Sequence, residues 1–502
     1  MNRNKSLSFL PVLLLAVLSA SSCSGPKGAN VCPGGVCSAG TGQVAVTMVA
    51  DTLPSNPSFL SFQVTISSIT FTPSSGTATT VTLNPARTVD LMRLQTDSAF
   101  LGTFGNITVA QYTSATLVLT GNAIITFLND TGSTLSGCPK STICPLSVPA
   151  SSNPIATISY SVSQNVVTGI GIELKILNAV STAGGALAVN FANANVLSGF
   201  TLPRTGSNLA AGQLDLIEDF IGVASVGSSS VTVTSANSTG HGSLAATTTS
   251  STIYDPDPTG AHCPTGTTQL SQCVSNNQLV SMDAVLNSDG TLSIREIEPL
   301  LATLQDTVEG TVVVINQANQ TQFILIVTDL IPAAQGSLIG TLRIGDGLTV
   351  NLLNNNPFLV DTKGLQVSNN FSSNYQSFFG QTSTSALHLG QTVTVHVTAF
   401  TPAAGTTLAS SNTDTVTLRW SRFTATTSTA SAPAFSINGF PSYFNATGTA
   451  QVEAFSNTNL DGITSTSNLS VGSPPVAVRA LFIENPGDSL SPAFYAAKVR
   501  QH

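Results

Sequence analysis

"LGQTVTVHVTAFTP" (389–402) and "DTVTLRWSRF" (414–423) are the stretches that decide the fold. In the first, valines at every second position alternate with Thr394, His396 and Thr398. Alternation with a period of two, rich in β-branched residues, is typical of a strand with one buried and one polar face. The turn between the two stretches predicts that they pair with each other.

The same pair of closing strands recurs at 279–298 and 471–500. A short apolar strand that ends on an aspartate precedes each pair. These residues, Asp255, Asp361 and Asp461, lie 106 and 100 residues apart. A period near a hundred residues indicates a tandem array of domains rather than a solenoid, whose repeats are about 20–50 residues long.

Two of these units also open alike, with "IGVASV" (221–226) and "EGTVVVI" (309–315). The units resemble a small β-barrel repeat of unknown function, similar to the OB fold, that is found in bacterial envelope proteins. The resemblance implies three barrels, over 215–300, 304–423 and 424–502. Three units in an extended row would reach on the order of 100 Å, because each would be roughly 25–30 Å across.

Residues 44–205 are expected to form a β-sandwich ahead of the array. "VDLMRL" (89–94), followed by "NITVAQYTSATLVLTG" (106–121), resembles an uncharacterised domain of secreted bacterial lipoproteins. The predicted fold class is therefore all-β, an N-terminal β-sandwich followed by a tandem array of small OB-like β-barrels. Helical spacing occurs only at 88–102 and 208–222, where loops or short turns are the alternative.

The N-terminus has the parts of an export signal. Arg3 and Lys5 precede an apolar run, and small residues lead from it to Cys23. The segment resembles a bacterial lipoprotein signal, in which that cysteine is acylated. The resemblance implies a signal peptide over 1–22 and a lipidated tether over 23–43.

Ser24, which follows the cysteine, resembles the pattern that directs lipoproteins to the outer membrane of double-membrane bacteria. The predicted location is therefore the cell envelope, with the protein anchored in the outer membrane. Ala20 and Ser22 also suit ordinary signal peptidase, so free secretion of a soluble protein is the alternative.

Without Cys23, six of the seven cysteines remain, in three close pairs. Disulfides persist in exported proteins, and local pairing is the simplest connectivity. Metal binding or redox chemistry is the alternative, but no pair has the spacing of a zinc knuckle or a thioredoxin motif. The expected bridges are Cys32–Cys37, Cys138–Cys144 and Cys263–Cys273.

Composition limits the functional classes. Only 8% of the residues are charged, against roughly 25% in typical soluble domains. A net charge of −8 argues against a nucleic-acid partner, which requires a basic face. Because no G-x-S-x-G, H-E-x-x-H or P-loop motif occurs, we expect no catalytic activity, no cofactor and no metal. Calcium at acidic turns such as "DPDPTG" (255–260) is a weaker alternative to an ordinary turn.

The segment "NNFSSNYQSFFGQ" (369–381) collects aromatic residues among polar ones. Exposed rings of this kind can bind sugars, whereas packing in a core or against a loop is the more common role. The candidate ligand-binding residues are Phe371, Tyr375, Phe378, Phe379 and Trp420.

Together these features predict a lipid-anchored envelope protein with a binding, adhesion or structural role. The expected partners are the membrane, through the lipid, and an extracellular polymer or glycan. Carbohydrate or ligand binding through the aromatic cluster is the alternative, and a secreted hydrolase is the third hypothesis. The sequence predicts no oligomeric state.

The anchor gives the first testable prediction. Cys23→Ala should abolish labelling with palmitate and release the protein from membranes, because the acylated thiol is lost. Ser24→Ala keeps the cysteine and should remain labelled. A wild-type protein that takes up no palmitate would contradict the lipoprotein interpretation.

Overall fold

A computed structural model of the protein describes residues 32, 37–51, 58–130, 134–235, 242–256, 263–264, 266–301, 304–316, 318–353, 356–365, 375–444, 449–484 and 492–501. Strands dominate these ranges and form four units, which are named here the first domain and barrels 1, 2 and 3. The predicted all-β fold class is confirmed.

The first domain is one sheet of nine strands that encloses its own core. The hydrogen-bonded order is β3-β2-β5-β7-β11-β8-β1-β4, with β6 beside β5 and a separate small hairpin of β9 and β10. A single core collects Val46, Phe62 and Ile158 from distant strands, so the sheet folds over on itself as a sandwich. The strands are β1 (Thr41–Ala50), β2 (Ser58–Pro73), β3 (Thr79–Asp90), β4 (Ala99–Thr108), β5 (Ala110–Leu128), β6 (Ile143–Pro149), β7 (Ile155–Val162), β8 (Val167–Leu174), β9 (Val180–Ser181), β10 (Ala188–Val189) and β11 (Leu197–Thr201).

Barrels 1 and 2 repeat one topology. The first strand pairs with the second and the fifth, and the third pairs in parallel with the sixth and last strand, which closes the barrel. Barrel 1 comprises β12 (Gln213–Val226), β13 (Ser230–Ser235), β14 (Ser243–Thr247), β15 (Ile253–Tyr254), β16 (Leu279–Asn287) and β17 (Leu292–Leu301). Barrel 2 comprises β18 (Thr307–Ile315), β19 (Gln322–Ile331), β20 (Gly347–Leu352), β21 (Leu359–Val360), β22 (Thr392–Thr401) and β23 (Ala409–Arg419).

Barrel 3 is a closed barrel with the same connectivity, in the order β24-β25-β26-β28-β27. This Greek-key path is that of the OB fold, so the predicted array of OB-like barrels is confirmed. Its strands are β24 (Ser421–Thr429), β25 (Ala434–Asn438), β26 (Ala450–Asp461), β27 (Val476–Glu484) and β28 (Pro492–Gln501).

The segment 208–222, which has helical spacing, is mostly the strand β12. A bulge between Ile217 and Phe220 shifts its pairing with β16, and Asp219 in the bulge has a φ of 53°. A bulge breaks the period of two, so the apolar spacing imitates a helix. The segment 88–102 contains a single helical turn, α1 (Leu91–Leu94), between the end of β3 and the start of β4. The other α-helices of the described ranges are α2 (Ile176–Ala179) and α3 (Leu270–Cys273).

The three predicted local disulfides, Cys32–Cys37, Cys138–Cys144 and Cys263–Cys273, are confirmed. The backbone N–H of Cys37 donates to Asn165 Oδ1 at 3.1 Å, which docks the first bridge onto the first domain. The strand β1 therefore begins at Thr41, inside the expected tether. Disulfides indicate an oxidising compartment. Within the described ranges, no helix has the length and apolar character to cross a bilayer.

The barrels are not strung out in a row. Leu481, Ile483 and Tyr495 of barrel 3 belong to the hydrophobic core of barrel 2, and Ala45 of the first domain belongs to that of barrel 1. The expectation of an extended array is therefore wrong. Apolar side chains on the outer faces of the barrels are buried against neighbouring units. The alternation within one strand does not predict these contacts between units.

Candidate functional site: a buried ionic junction and an adjoining cleft

Most of the described aromatic candidates lie in or against the core of barrel 2. Phe378 and Trp420 are each 1% exposed, and the expectation that they bind a ligand at the surface is wrong. Tyr375 and Phe379 stack with ring centroids 4.7 Å apart and pack, half-buried, against the same core. Phe371, like Cys23, lies outside the described residues.

Two polar side chains, His396 and Asp289, have local roles. His396 Nδ1 lies 2.7 Å from Asp414 Oδ1 on the neighbouring strand, at the edge of the polar surface. Asp289 accepts hydrogen bonds from the backbone and hydroxyl of Thr291, which closes the turn between β16 and β17. Neither residue belongs to a larger polar cluster.

The aspartates that mark the repeats stand at equivalent places beside the last strand of each barrel. In barrels 2 and 3 each meets an arginine of that strand. Asp361 pairs with Arg419, and Asp461 Oδ2 lies 2.7 Å from Arg500 Nε. The motif that marks the repeat is therefore half of a buried ion pair.

Barrel 1 carries acidic residues where the other barrels carry cations. Glu298 takes the place of the two arginines beside Asp255, and Glu296 faces Asp283 across β16 and β17. Like charges directly opposite each other destabilise a sheet. Barrel 1 therefore depends on cations from other units.

Asp219 is the point where all four units meet. Its side chain is 1% exposed. It accepts hydrogen bonds from Arg93 of the first domain at 3.2 Å, Arg419 of barrel 2 at 3.0 Å and Arg422 of barrel 3 at 2.6 Å. Lys363 of barrel 2 lies 3.6 Å from the same carboxylate and also pairs with Asp283 at 2.5 Å. One carboxylate is thus shared by cations from three other units.

Barrel 3 supplies cations to two further carboxylates. Glu218, next to Asp219 on β12, pairs with Arg479 at 3.2 Å and with Lys498. Asp97 of the first domain receives Arg422 at 2.8 Å and lies 3.7 Å from Arg479. These pairs fix barrel 3 against both barrel 1 and the first domain.

Arg500 makes a different kind of contact. Its Nη1 donates to the backbone oxygens of Leu94, Gln95 and Asp97 at 3.1–3.2 Å. The last carbonyls of a helix have no partner within the helix. The arginine therefore caps α1 from another unit and holds the loop that carries Asp97.

These residues form what is named here the ionic junction. It includes eight of the chain's 16 Lys and Arg residues. Half of the chain's positive charges therefore belong to this one cluster. The eight are Arg93, Arg204, Lys363, Arg419, Arg422, Arg479, Lys498 and Arg500.

The cations keep the central carboxylates charged. Burial alone would raise the pKa of Asp219, but Arg419, Lys363, Arg422 and Arg93 hold it well below its usual value. The pKa of Asp97 is about 2, because Arg422 and Arg479 outweigh the effect of burial there. An opposite charge at close range favours the ionised form.

Glu296 and Glu298 behave in the opposite way. Burial raises the pKa of Glu298 well above its usual value, although Arg419 and Lys363 oppose the shift. Burial, together with a hydrogen bond to Asp255, does the same for the pKa of Glu296. Two carboxyl groups can hydrogen-bond only if one carries a proton, so this edge of the junction binds protons in the folded state.

A cleft with a cavity volume of about 100 Å³, partly open to solvent, lies between the first domain and barrel 1 beside the junction. The end of β3, α1 and the start of β4 form one wall, and the bulge of β12 with the ends of β13 and β14 forms the other. Ion pairs fix both walls, so the cleft is preformed. Its apolar surface comes from Val89, Phe100, Leu101, Phe220 and Leu244, and its polar surface includes Arg87, Ser98, Ser235 and Ser243.

Among the described residues, no group of three or more His, Cys, Asp or Glu side chains is arranged to hold a metal ion. Neither a protein-family model nor a curated protein matches the chain. The junction and the cleft therefore have to be interpreted from their own chemistry.

Sequence reasoning used Asp255, Asp361 and Asp461 as repeat markers and missed the junction around them. A signal was present: "LSIREIEP" (292–299) and "AFYAAKVRQ" (493–501) place charges inside otherwise apolar strands. In a chain with 8% charged residues, charges inside a strand indicate that partners lie on another element.

The two kinds of carboxylate predict a stability optimum in mild acid. The low pKa values of Asp97 and Asp219 stabilise the fold above about pH 4, and this contribution is lost as the pH falls. The raised pKa values of Glu296 and Glu298 stabilise it below about pH 4.5, and this contribution is lost as the pH rises. Asp51, whose pKa burial raises to about 7, acts in the second direction.

Melting temperatures measured from about pH 3 to 8 should therefore peak near pH 4–5. Glu298→Gln should flatten the decline on the alkaline side, because the variant binds no proton there. Glu453→Gln, at a half-buried position of β26, is the control and should leave the profile unchanged. A wild-type protein that becomes steadily more stable from pH 5 to 8 would refute this assignment.

Proposed function

We propose that this is an exported, lipid-anchored envelope protein whose compact head binds an extracellular ligand in the cleft between the first domain and barrel 1. The observation that carries the proposal is the preformed cleft itself. Ligand sites lie preferentially at domain interfaces, where apolar walls meet a few convergent polar groups. The cleft has both features, and the junction holds its walls in place.

Location supports a role outside the cytoplasm. Three disulfides suit an oxidising compartment, and the basic, apolar and Cys23-terminated start suits a lipid anchor, with Ser24 favouring the outer membrane. The family resemblances of the N-terminal domain and of the repeats agree with this proposal. The partners we propose are the membrane, through the lipid, and an extracellular polymer or glycan.

Binding is favoured over a spacer role by the packing of the units. A spacer or adhesin that must extend far from the membrane would need its domains in an extended row. These barrels instead bury their outer faces against their neighbours. Packing of this kind suits a rigid head whose binding surface is assembled from several units. OB-like barrels serve many functions, so the proposal rests on the cleft and not on the fold.

A binding role is also favoured over a catalytic one. Asp90, whose pKa burial raises, lines the cleft, but it accepts the backbone N–H groups of Phe62 and Met92. Two other carboxyl groups with raised pKa values are shielded: Glu298 is 1% exposed and Glu296 hydrogen-bonds to Asp255. A catalytic acid must come within hydrogen-bond distance of its substrate. We therefore propose a structural role for these groups and no catalytic activity.

A binding screen tests the proposal. The full mature chain with Cys23→Ala should melt at a higher temperature with at least one member of a panel of glycans, envelope polymers and small organic compounds, because binding stabilises the folded state. Ser243→Phe, which fills the cleft, should abolish the shift. Ala245→Phe, at an exposed position two residues further along the same strand that does not line the cleft, should retain it.

A ligand that protects Ser243→Phe as well as the wild type would place binding outside the cleft. A panel that protects neither protein would contradict the proposed binding role.

A further inference from the structure

Arg87 differs from the other buried arginines. It lies near the end of β3, lines the cleft and is 6% exposed. Within the described ranges its guanidinium donates one hydrogen bond, from Nη1 to the backbone oxygen of Pro85, at 3.4 Å. No carboxylate in the described part of the chain lies within ion-pair distance of its guanidinium, whereas the buried arginines of the junction all have such a partner.

The guanidinium keeps its charge although its burial is unfavourable. Burial lowers the pKa of Arg87, and no neighbouring carboxylate opposes the shift. Arginine nevertheless remains protonated at neutral pH, because its ordinary pKa is above about 12. A buried charge without a partner is costly, so the site is incomplete until an anion binds.

Gly242, at the entrance to β14, makes room for this side chain. A Cβ atom at that position would lie 2.3 Å from Nη1 of Arg87, and the φ of Gly242 is +84°. The chain therefore places the guanidinium against bare backbone at this position.

The acidic side chains that line the same cleft are engaged elsewhere. Asp90 accepts the backbone N–H groups of Phe62 and Met92. The other four pair with cations of the junction; they are Asp97, Glu218, Asp219 and Asp329. Among the described residues of the cleft wall, Arg87 is thus the charge without a counter-ion. The surrounding surface is apolar, from Phe100, Phe220 and their neighbours, with serine hydroxyl groups between.

On the basis of the proposed binding role, we infer that the cleft selects ligands with a carboxylate next to an apolar or ring surface, and that Arg87 binds the carboxylate. The planar guanidinium can donate two parallel hydrogen bonds to a carboxylate. The apolar wall contacts the body of the ligand, and the serines are within the same cleft to meet its hydroxyl groups. A small organic acid and an acidic sugar of a polymer share this chemistry.

The test compares each acid with its own neutral ester. Tri-galacturonate and benzoate, each at millimolar concentration, are titrated into the mature Cys23→Ala chain beside their methyl esters. At least one acid should raise the melting temperature, and its ester should bind about tenfold or more weakly, because a charge-assisted hydrogen bond is lost. The acid that binds identifies the source as a polymer sugar or a small molecule.

The variant Arg87→Met distinguishes a binding role from a structural one. Without ligand it should melt at the same or a higher temperature, because it removes a buried, unpaired charge. Its affinity for the acid should fall about tenfold or more. Arg87→Lys keeps the positive charge but cannot donate two parallel hydrogen bonds to the carboxylate, so its affinity should be intermediate.

Two results would overturn the inference: an ester that binds as tightly as its acid, or an Arg87→Met protein that binds the acid as tightly as the wild type. If neither acid protects the wild type, while a neutral compound does so and Ser243→Phe abolishes its effect, the inference fails but the proposed binding role stands. If no compound protects the protein, both fail.

Discussion

The structure depends on one buried carboxylate, that of Asp219. Cations from the first domain, barrel 2 and barrel 3 converge on it, while Asp219 itself belongs to barrel 1. A buried ion costs several kcal/mol of desolvation, which is offset only when its hydrogen bonds are well placed. The observed arrangement of the four units brings Arg93, Arg419 and Arg422 to the same carboxylate. We infer that the charges specify how the units pack, whereas apolar burial supplies most of the stability.

The three barrels share a topology but carry charges of different sign at equivalent positions. At the equivalent position of the last strand, barrel 1 has Glu298 where barrels 2 and 3 have Arg419 and Arg500. A row of identical barrels would place like charges together, whereas this divergence makes neighbouring units complementary. The same packing opens the cleft between the first domain and barrel 1, so the binding surface we propose results from the way the units assemble.

Local features of the structure could be predicted from the sequence, and features that depend on assembly could not. The alternation around His396 predicts its strand, and the spacing of Asp255, Asp361 and Asp461 predicts the repeats, because both are periodic along the chain. The bulge at Asp219 depends on register with β16, so its segment imitates a helix. Arg93, Asp219 and Arg422 are more than a hundred residues apart, and no local pattern indicates that they meet. The burial of Phe378 and Trp420 likewise depends on neighbours that are distant in sequence.

Calorimetry of Asp219→Asn tests the central claim most directly. Asparagine keeps the shape of the side chain and leaves three arginines and a lysine without their shared counter-ion. If the junction holds the units together, the wild type should unfold in one cooperative transition. The variant should lose about 3–5 kcal/mol of stability and unfold in separate steps. Asp289→Asn, in an exposed turn of the same barrel, is the control and should unfold like the wild type. An Asp219→Asn protein with the single transition and melting temperature of that control would contradict the account.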